Sequence, residues 1–350
     1  MRGTTRFVLL AMLVLAATGC ATVGPASISN GRSTYNAVIN RTEDEQILSM
    51  IVRQRYDETF GMLAVASVTA SLRLSASAGM NAGVGPRSGY EGNLVPLSAG
   101  VAYEENPTIS YVPLRGEQFT ERMLAPMTAE QALLLGRMST DQVEVLRLVV
   151  RRANGLANPL YSSRRATGEF DRFMDRFAQL REKGKLDIVR SGDGTLELLL
   201  HDHTEEEARD AVEMLRMVGV DGERGTPVTV PLRFFVGASR ANGIDFETPS
   251  ALEVIGAAAA GVEVPDTHIT EGLARPSVGG SSHALFVVRS SRTRPENASV
   301  AVLHRGWWFF VDRRDARSKQ VFMILRTLIG IRLDETVPGQ RTPVLTVPVR

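Results

Sequence analysis

The apolar residues of this chain change period repeatedly, and that alternation most constrains what it can fold into. Phe170, Phe173, Met174, Phe177 and Leu180 recur at helical spacing up to Gly184, which predicts one apolar helix stripe. Immediately after, Leu186–Arg190 and Thr195–Leu200 flank Gly192-Asp193-Gly194, a hairpin signal. Thr204 then opens another helix, with Glu207 three residues on to complete a capping box and Gly219 to end it. Upstream, Val68–Ala76 alternates apolar and polar residues as a half-buried strand does.

Helices and strands interleave through the rest. Ile47, Leu48, Ile51 and Val52 predict a helix capped by Thr42 with Glu45. Strands are expected near 98–103 and 108–112, broken by Asn106-Pro107. Two short helices split by Pro126 follow, and Val143–Val150 is ambiguous between helix and strand. Residues 154–165 read as a loop, and 228–236 as a strand. Thr248-Pro249 opens a helix with proline at its first position. The last third reads as strands at 285–289 and 299–304, a tight turn at Arg305-Gly306, strand Trp307–Asp312, a helix closed by Gly330, and strand Val344–Val349. The expected fold is α+β, with mixed or antiparallel sheets and packed helices, after a signal peptide and flexible tether.

The 350 residues are 43% hydrophobic and 23% charged, with formal net charge +1. That balance is globular and lacks the basic excess of a nucleic-acid binder, so no nucleic-acid partner is expected. The one cysteine, Cys20, cannot close an internal disulfide, so the core alone must hold the fold.

Arg2 and Arg6 precede an apolar run from Phe7 to Ala17, too short to span a bilayer, which takes about 20 residues. Basic start, short apolar run and small residues are the marks of an export signal. Ala17-Thr18-Gly19-Cys20 resembles the bacterial lipobox, in which the cysteine is joined to diacylglycerol, the signal is cut before it and the new amine is acylated. That resemblance implies lipidation at Cys20, a lipid bilayer as partner and, with Ala21 rather than aspartate next, a periplasm-facing outer-membrane address. The divisions expected are a signal peptide at 1–19, a lipidated tether at 20–41, an N-terminal α+β region at 42–155 and a C-terminal one at 156–350.

A second resemblance rests on Asn106–Phe119, Gly261-Val-Glu-Val-Pro265, Arg289-Ser-Ser291, Arg294-Pro-Glu-Asn-Ala298, Arg305-Gly-Trp-Trp-Phe-Phe-Val-Asp312 and Ser318-Lys319. Together they resemble a family of bacterial envelope proteins that carry lipoprotein signals and are usually labelled hypothetical. The resemblance implies no activity. Family members place a second acid where this chain has Arg313, which weakens a metal reading there.

Candidate chemistry is sparse. His201 and His203 would share a strand face and could grip a metal with help, but a polar strand end leading into the Thr204 cap explains them as well. Alternation sends Trp307 and Phe309 to one face and Trp308 and Phe310 to the other; they are either core or a stacking platform. Asp312, Arg313, Arg314, Asp315, Arg317 and Lys319 form the best partner or ligand patch, because charged loops carry function more often than core strands. Glu104 and Glu105 point to opposite faces and make a poor acid–base pair. The glycines from 83 to 89 lack dinucleotide spacing. There is no Gly-x-Ser-x-Gly elbow, phosphate loop or His-Glu-x-x-His, so no catalytic residue and no cofactor are assigned. The residues favour a lipid-anchored envelope protein with a structural or interaction role toward a protein or glycan. A membrane-tethered periplasmic hydrolase or glycan-processing enzyme is the alternative, and a small-ligand carrier ranks third.

Overall fold

The structure, a computed structural model, describes residues 33–80, 97–114, 116–137, 142–162, 168–201, 203–222, 227–234, 242–276 and 286–334. Cys20 and the lipobox expected around it, the glycine-rich segment from 81 and the expected strand Val344–Val349 lie outside the described residues. The fold is α+β, with mixed and antiparallel sheets and packed helices. No helix among the described residues is long and apolar enough to cross a membrane.

The chain divides into two units: described residues 33–60 with Gly116–Asp334, and Gly61–Arg115. The second unit is a hairpin of β1 (Met62–Met80) and β2 (Leu97–Leu114), antiparallel throughout, with a bulge between Val65 and Ser67. The break expected at Asn106-Pro107 does not occur, and Pro107 pairs with Ala70 inside one continuous strand. Both strands are edges of this two-stranded sheet, the setting in which a strand tolerates proline.

In the first unit, helix α1 is already formed at residue 33, the first described, and runs to 55. The tether expected to reach 41 and the cap expected at Thr42 are therefore corrected. Thr42 sits inside the helix and its hydroxyl donates to the Ile39 carbonyl at 2.9 Å. No glycine or proline lies between 33 and 55 to stop the helix, and Arg326 further on holds Asn40, Glu43 and Asp44. Ile47, Leu48, Met50, Ile51 and Val52 are its buried face.

Three short helices follow, α2 (Glu117–Leu124), α3 (Ala129–Gly136) and α4 (Gln142–Val149). α3 starts on a Thr128–Gln131 capping box, and α4 settles the ambiguous segment as helix. β3 (Arg152–Ala153), β4 (Leu156–Ala157), α5 (Glu169–Glu182), β5 (Leu186–Arg190), β6 (Leu196–Leu200), α6 (Glu205–Met217), β7 (Val228–Phe234) and β8 (Ile244–Glu247) come next. Six of these strands form one sheet in the order β4-β3-β8-β7-β6-β5, with only β7 and β8 parallel. Its rows Leu186–Leu200, Leu198–Val230, Leu232–Ile244 and Phe246–Ala153 share one face. All eight side chains are buried, and the α5 ring of Phe173 packs edge-on against Phe246 at 6.4 Å.

The division expected at 155/156 is corrected by this sheet. β3, before it, pairs with β8, after it. Asn154 ties the junction: its side chain donates to the Val218 and Gly243 carbonyls and accepts the Asp245 amide at 2.6 Å. A loop-like composition around 154–165 cannot reveal a pairing with residues so distant in sequence.

The remainder is α7 (Ala251–Ala259), α8 (Asp266–Thr270), β9 (Arg289–Ser291), β10 (Ala298–His304), β11 (Trp307–Asp312) and α9 (Ala316–Asp334). Two expected helix ends are corrected. α7 is capped by Ser250 with Glu253, so Pro249 precedes the cap instead of opening the helix. Gly330 does not close α9 but lies within it, because its neighbours Leu328, Ile329 and Arg332 are buried and carry the helix on.

Between α7 and α8 the backbone runs against β9. Val262 bridges Val288 in parallel, and a Cβ at Gly261 would sit 1.9 Å from the Phe286 carbonyl oxygen. Gly261→Ala therefore forces two backbone segments apart. We expect it to lower the unfolding free energy by at least the ~1–3 kcal/mol typical of overpacking, read as a lower urea midpoint. Gly155→Ala, with open space at its Cβ, should stay within about 0.5 kcal/mol of the parent in the same urea titration.

Candidate functional site

β9, β10 and β11 form a three-stranded sheet in the order β10-β11-β9. Arg305 and Gly306 both have positive φ, 48° and 79°. Two such residues make the turn whose twist matches the flanking strands. That turn fixes the register His304↔Trp307, Leu303↔Trp308, Val302↔Phe309 and Ala301↔Phe310. On the other side Trp308, Phe310 and Phe309 oppose Ser291, Arg289 and Ser290. Directly opposed residues share a face. One face thus carries Trp307, Phe309 and Val311; the other carries Trp308, Phe310, Leu303, Ala301 and Arg289.

The first face is core. Phe309 and Val311 are fully buried. Tyr56, at the end of α1, sets its ring edge-on against Phe309 at 6.0 Å and His304 at 4.9 Å. Its hydroxyl hydrogen-bonds the α8 side chain of His268, at Nδ1, over 2.7 Å. Trp307 lies edge-on to His268, and Arg292 covers it with the guanidinium carbon 4.4 Å from the ring centre. Beside them Glu58 Oε1 accepts from Arg305 Nε at 2.8 Å and lies 3.5 Å from His304 Nε2, while Arg53 is 3.8 Å from Oε2.

Burial sets the protonation states here. It pushes the Tyr56 hydroxyl up to about 12, against the charges of Arg55 and Arg305. It pushes His304 below its ordinary value; Glu58 opposes this, and Arg305, Arg53 and His268 add to it. For Glu58 burial acts upward but is outweighed by the Arg305 hydrogen bond and the charges of His304, Arg305 and Arg53, so its carboxyl is held low. Neutral tyrosine, neutral imidazole and a guanidinium-bound carboxylate form a clamp between α1 and the strand turn. Sequence reasoning missed this cluster, whose members are scattered from 53 to 307 without a shared spacing.

The second face is open. Leu303 is 60% exposed, Trp308 and Phe310 are half-buried and Arg289 is exposed. Arg294 stands over the Trp308 ring at 5.3 Å.

The expected charged patch separates by role. Asp315 caps α9: its carboxylate accepts the Ser318 amide at 3.0 Å and the Ser318 hydroxyl at 2.6 Å. Those bonds hold its carboxyl below the usual range, against burial and with help from Arg289. Buried Ser318 in turn accepts the Val287 amide. Asp312 accepts the Arg314 amide at 2.8 Å, and Arg317 pairs with Glu144 at 3.2 Å. The Arg313 amide is bound by Asn297 O, whereas Arg314 and Lys319 are exposed.

His201 lies beyond β6 and meets Asp187 at 3.1 Å; Asp202 lies outside the described residues. His203 is not brought with it into a metal cluster. Among the described residues no three His, Cys, Asp or Glu side chains are placed to hold a metal.

Among the described residues, surface clefts of about 430 and 400 Å3 are lined by α5 with α6 and by α4 with α5 and α9. Their carboxylates are largely committed to arginines: Glu213 to Arg176, and Asp171 and Asp175 both to Arg147. Neither cleft is lined by Tyr56, His304 or Trp308. No protein-family model, curated protein or solved structure matches the chain.

The geometry makes two predictions. Asp315→Ala should cost ~1–2 kcal/mol in a thermal melt, the value of a helix cap, while Lys319→Ala should change little. The second concerns pH. In the unfolded chain His304 takes a proton below about 6.5, and the folded chain resists it because its value is lowered. Stability should therefore fall as pH drops through 6.5 toward the lower folded value. Glu58 and Asp315, also held low, contribute in the same sense further down. Urea midpoints at pH 7 and 5 should differ, and His304→Phe should narrow the difference. Identical pH dependence in parent and variant would refute the assignment.

Proposed function

We propose that the protein is a lipid-anchored bacterial envelope protein with an interaction role, working through the outer face of the β9–β11 sheet. The anchor reading rests on the sequence Ala17-Thr18-Gly19-Cys20, in which the chain's one cysteine occupies the lipidation position. Acylation there would hold the body at a bilayer, since two or more acyl chains give stable anchoring. Ala21 supports an outer-membrane, periplasm-facing address. The relation to lipoprotein-signal envelope proteins belongs to the same reading.

The observation that carries the interaction role is the open sheet face. It exposes Leu303 beside Trp308 and Phe310, aromatic and aliphatic side chains that a core would otherwise absorb, and exposed apolar patches rimmed by charge mark contact surfaces. Enzymatic readings gain less support, because the cleft carboxylates are arginine-bound and the buried tyrosine–histidine pair lines neither cleft.

Growth with an alkyne fatty acid should label the full-length chain and fail to label Cys20→Ala. In the same cells a photo-crosslinking residue placed at Leu303 should give an adduct on illumination, and one at exposed Glu205 should not. Label on Cys20→Ala would remove the anchor; equal adduct yields at the two positions would remove the interaction face.

A further inference from the structure

We infer that the outer face of the β9–β11 sheet rests on an anionic lipid surface. The inference builds on the interaction reading of that face, and its test is made on a chain that cannot be lipidated.

The face has the composition of a membrane-interface contact. Leu303, Trp308 and Phe310 stand together, with Trp308 under the Arg294 guanidinium. Tryptophan beside arginine suits the headgroup level, where the ring is partly wetted, and leucine and phenylalanine suit the acyl boundary beneath.

Charge complements that surface. Residues 286–319 carry eight arginines and lysines against three carboxylates, Glu296, Asp312 and Asp315. Asp312 and Asp315 are turned onto backbone amides of their own loop. Arg305 and Arg317 are neutralised by Glu58 and Glu144. Arg289, Arg292, Arg294, Arg314 and Lys319 are exposed; Arg289 shares the face of Phe310 and Arg294 stands over Trp308, whereas Arg292 covers Trp307. Positive charge beside an apolar centre attracts anionic headgroups.

Size separates this occupant from a folded protein. A stable protein interface takes about 800 Å2 and 20–30 residues from each side. This face offers four apolar side chains, one of them an alanine and three of them half-buried. That suits a contact which orients a body already held near a membrane. The twelve residues between Cys20 and the first described turn of α1 can span at most about 40 Å. A helix of the length of α1 is shorter, about 35 Å, so the face lies within reach of the bilayer.

The chain's two tryptophans, Trp307 and Trp308, both lie in β11, which provides a local readout. Full-length Cys20→Ala is mixed with vesicles of phosphatidylglycerol and phosphatidylcholine brominated in the acyl chains. Trp308→Phe, retaining only Trp307, assigns the signal. Tryptophan emission should shift to the blue and be quenched. Both effects should vanish in Trp308→Phe and in Leu303→Glu, and weaken with added salt or without phosphatidylglycerol. Circular dichroism melts of the variants, all altered at exposed or half-buried positions, confirm folding. Vesicle binding without quenching would overturn the inference, because the chain would then be held elsewhere, and so would absence of binding. A protein adduct at position 303 in cells together with no quenching on vesicles would leave the interaction face standing and remove the lipid surface. Absence of both would remove the two together.

Discussion

The arrangement of the C-terminal sheet depends on one register. A two-residue turn at Arg305-Gly306 places Phe309 opposite Val302 and Trp308 opposite Leu303. A slip of one residue would send every side chain of β11 to the opposite face, exposing Phe309 and Val311 and burying Trp308. Tyr56 reinforces the native choice, since its ring meets Phe309 and His304 at once. The core contact and the open apolar face are therefore two sides of one decision made at the turn.

Around that sheet, polar groups lock the chain with few resources. Ser318 receives the Val287 amide and gives its hydroxyl to Asp315, which also caps α9. Glu263 accepts the Ser290 amide, beside the parallel bridge of Val262 and Val288. Most conspicuous motifs in this part of the sequence are explained by such fastening: Gly261 by its approach to Phe286, Ser318 by its two bonds, and Arg305-Gly306 by the turn. The residues left without such a task are Leu303, Trp308, Phe310 and the arginines around them.

Periodicity made much of this legible. The Phe170–Leu180 stripe, the hairpin at 192–194, the Thr204–Glu207 capping box and the two faces of Trp307–Phe310 were all readable from spacing, because each is a local rule. β8 was not, since Ile244, Asp245 and Phe246 are all buried and a strand covered on both sides loses its alternation. Gly330 and Pro107 misled because a breaker's preference is small beside the packing or the edge position that overrides it. The Tyr56–His268–His304–Glu58 cluster was invisible: its members come from α1, the segment after it, α8 and β10, and only tertiary packing gives them a common address.

The joining of β3 to β8 has a consequence for how the molecule comes into being. Asn154 and Asp245 exchange hydrogen bonds across 91 positions of sequence. A chain emerging from one end first cannot complete the six-stranded sheet until the β8 segment has appeared, whereas the β5–β6 hairpin and α5 can form as soon as they are free. Distant pairing of this kind slows folding. For that interval β3 stays an unfilled edge, so the span between the two strands is where a helper that shields nascent chains would have most to do.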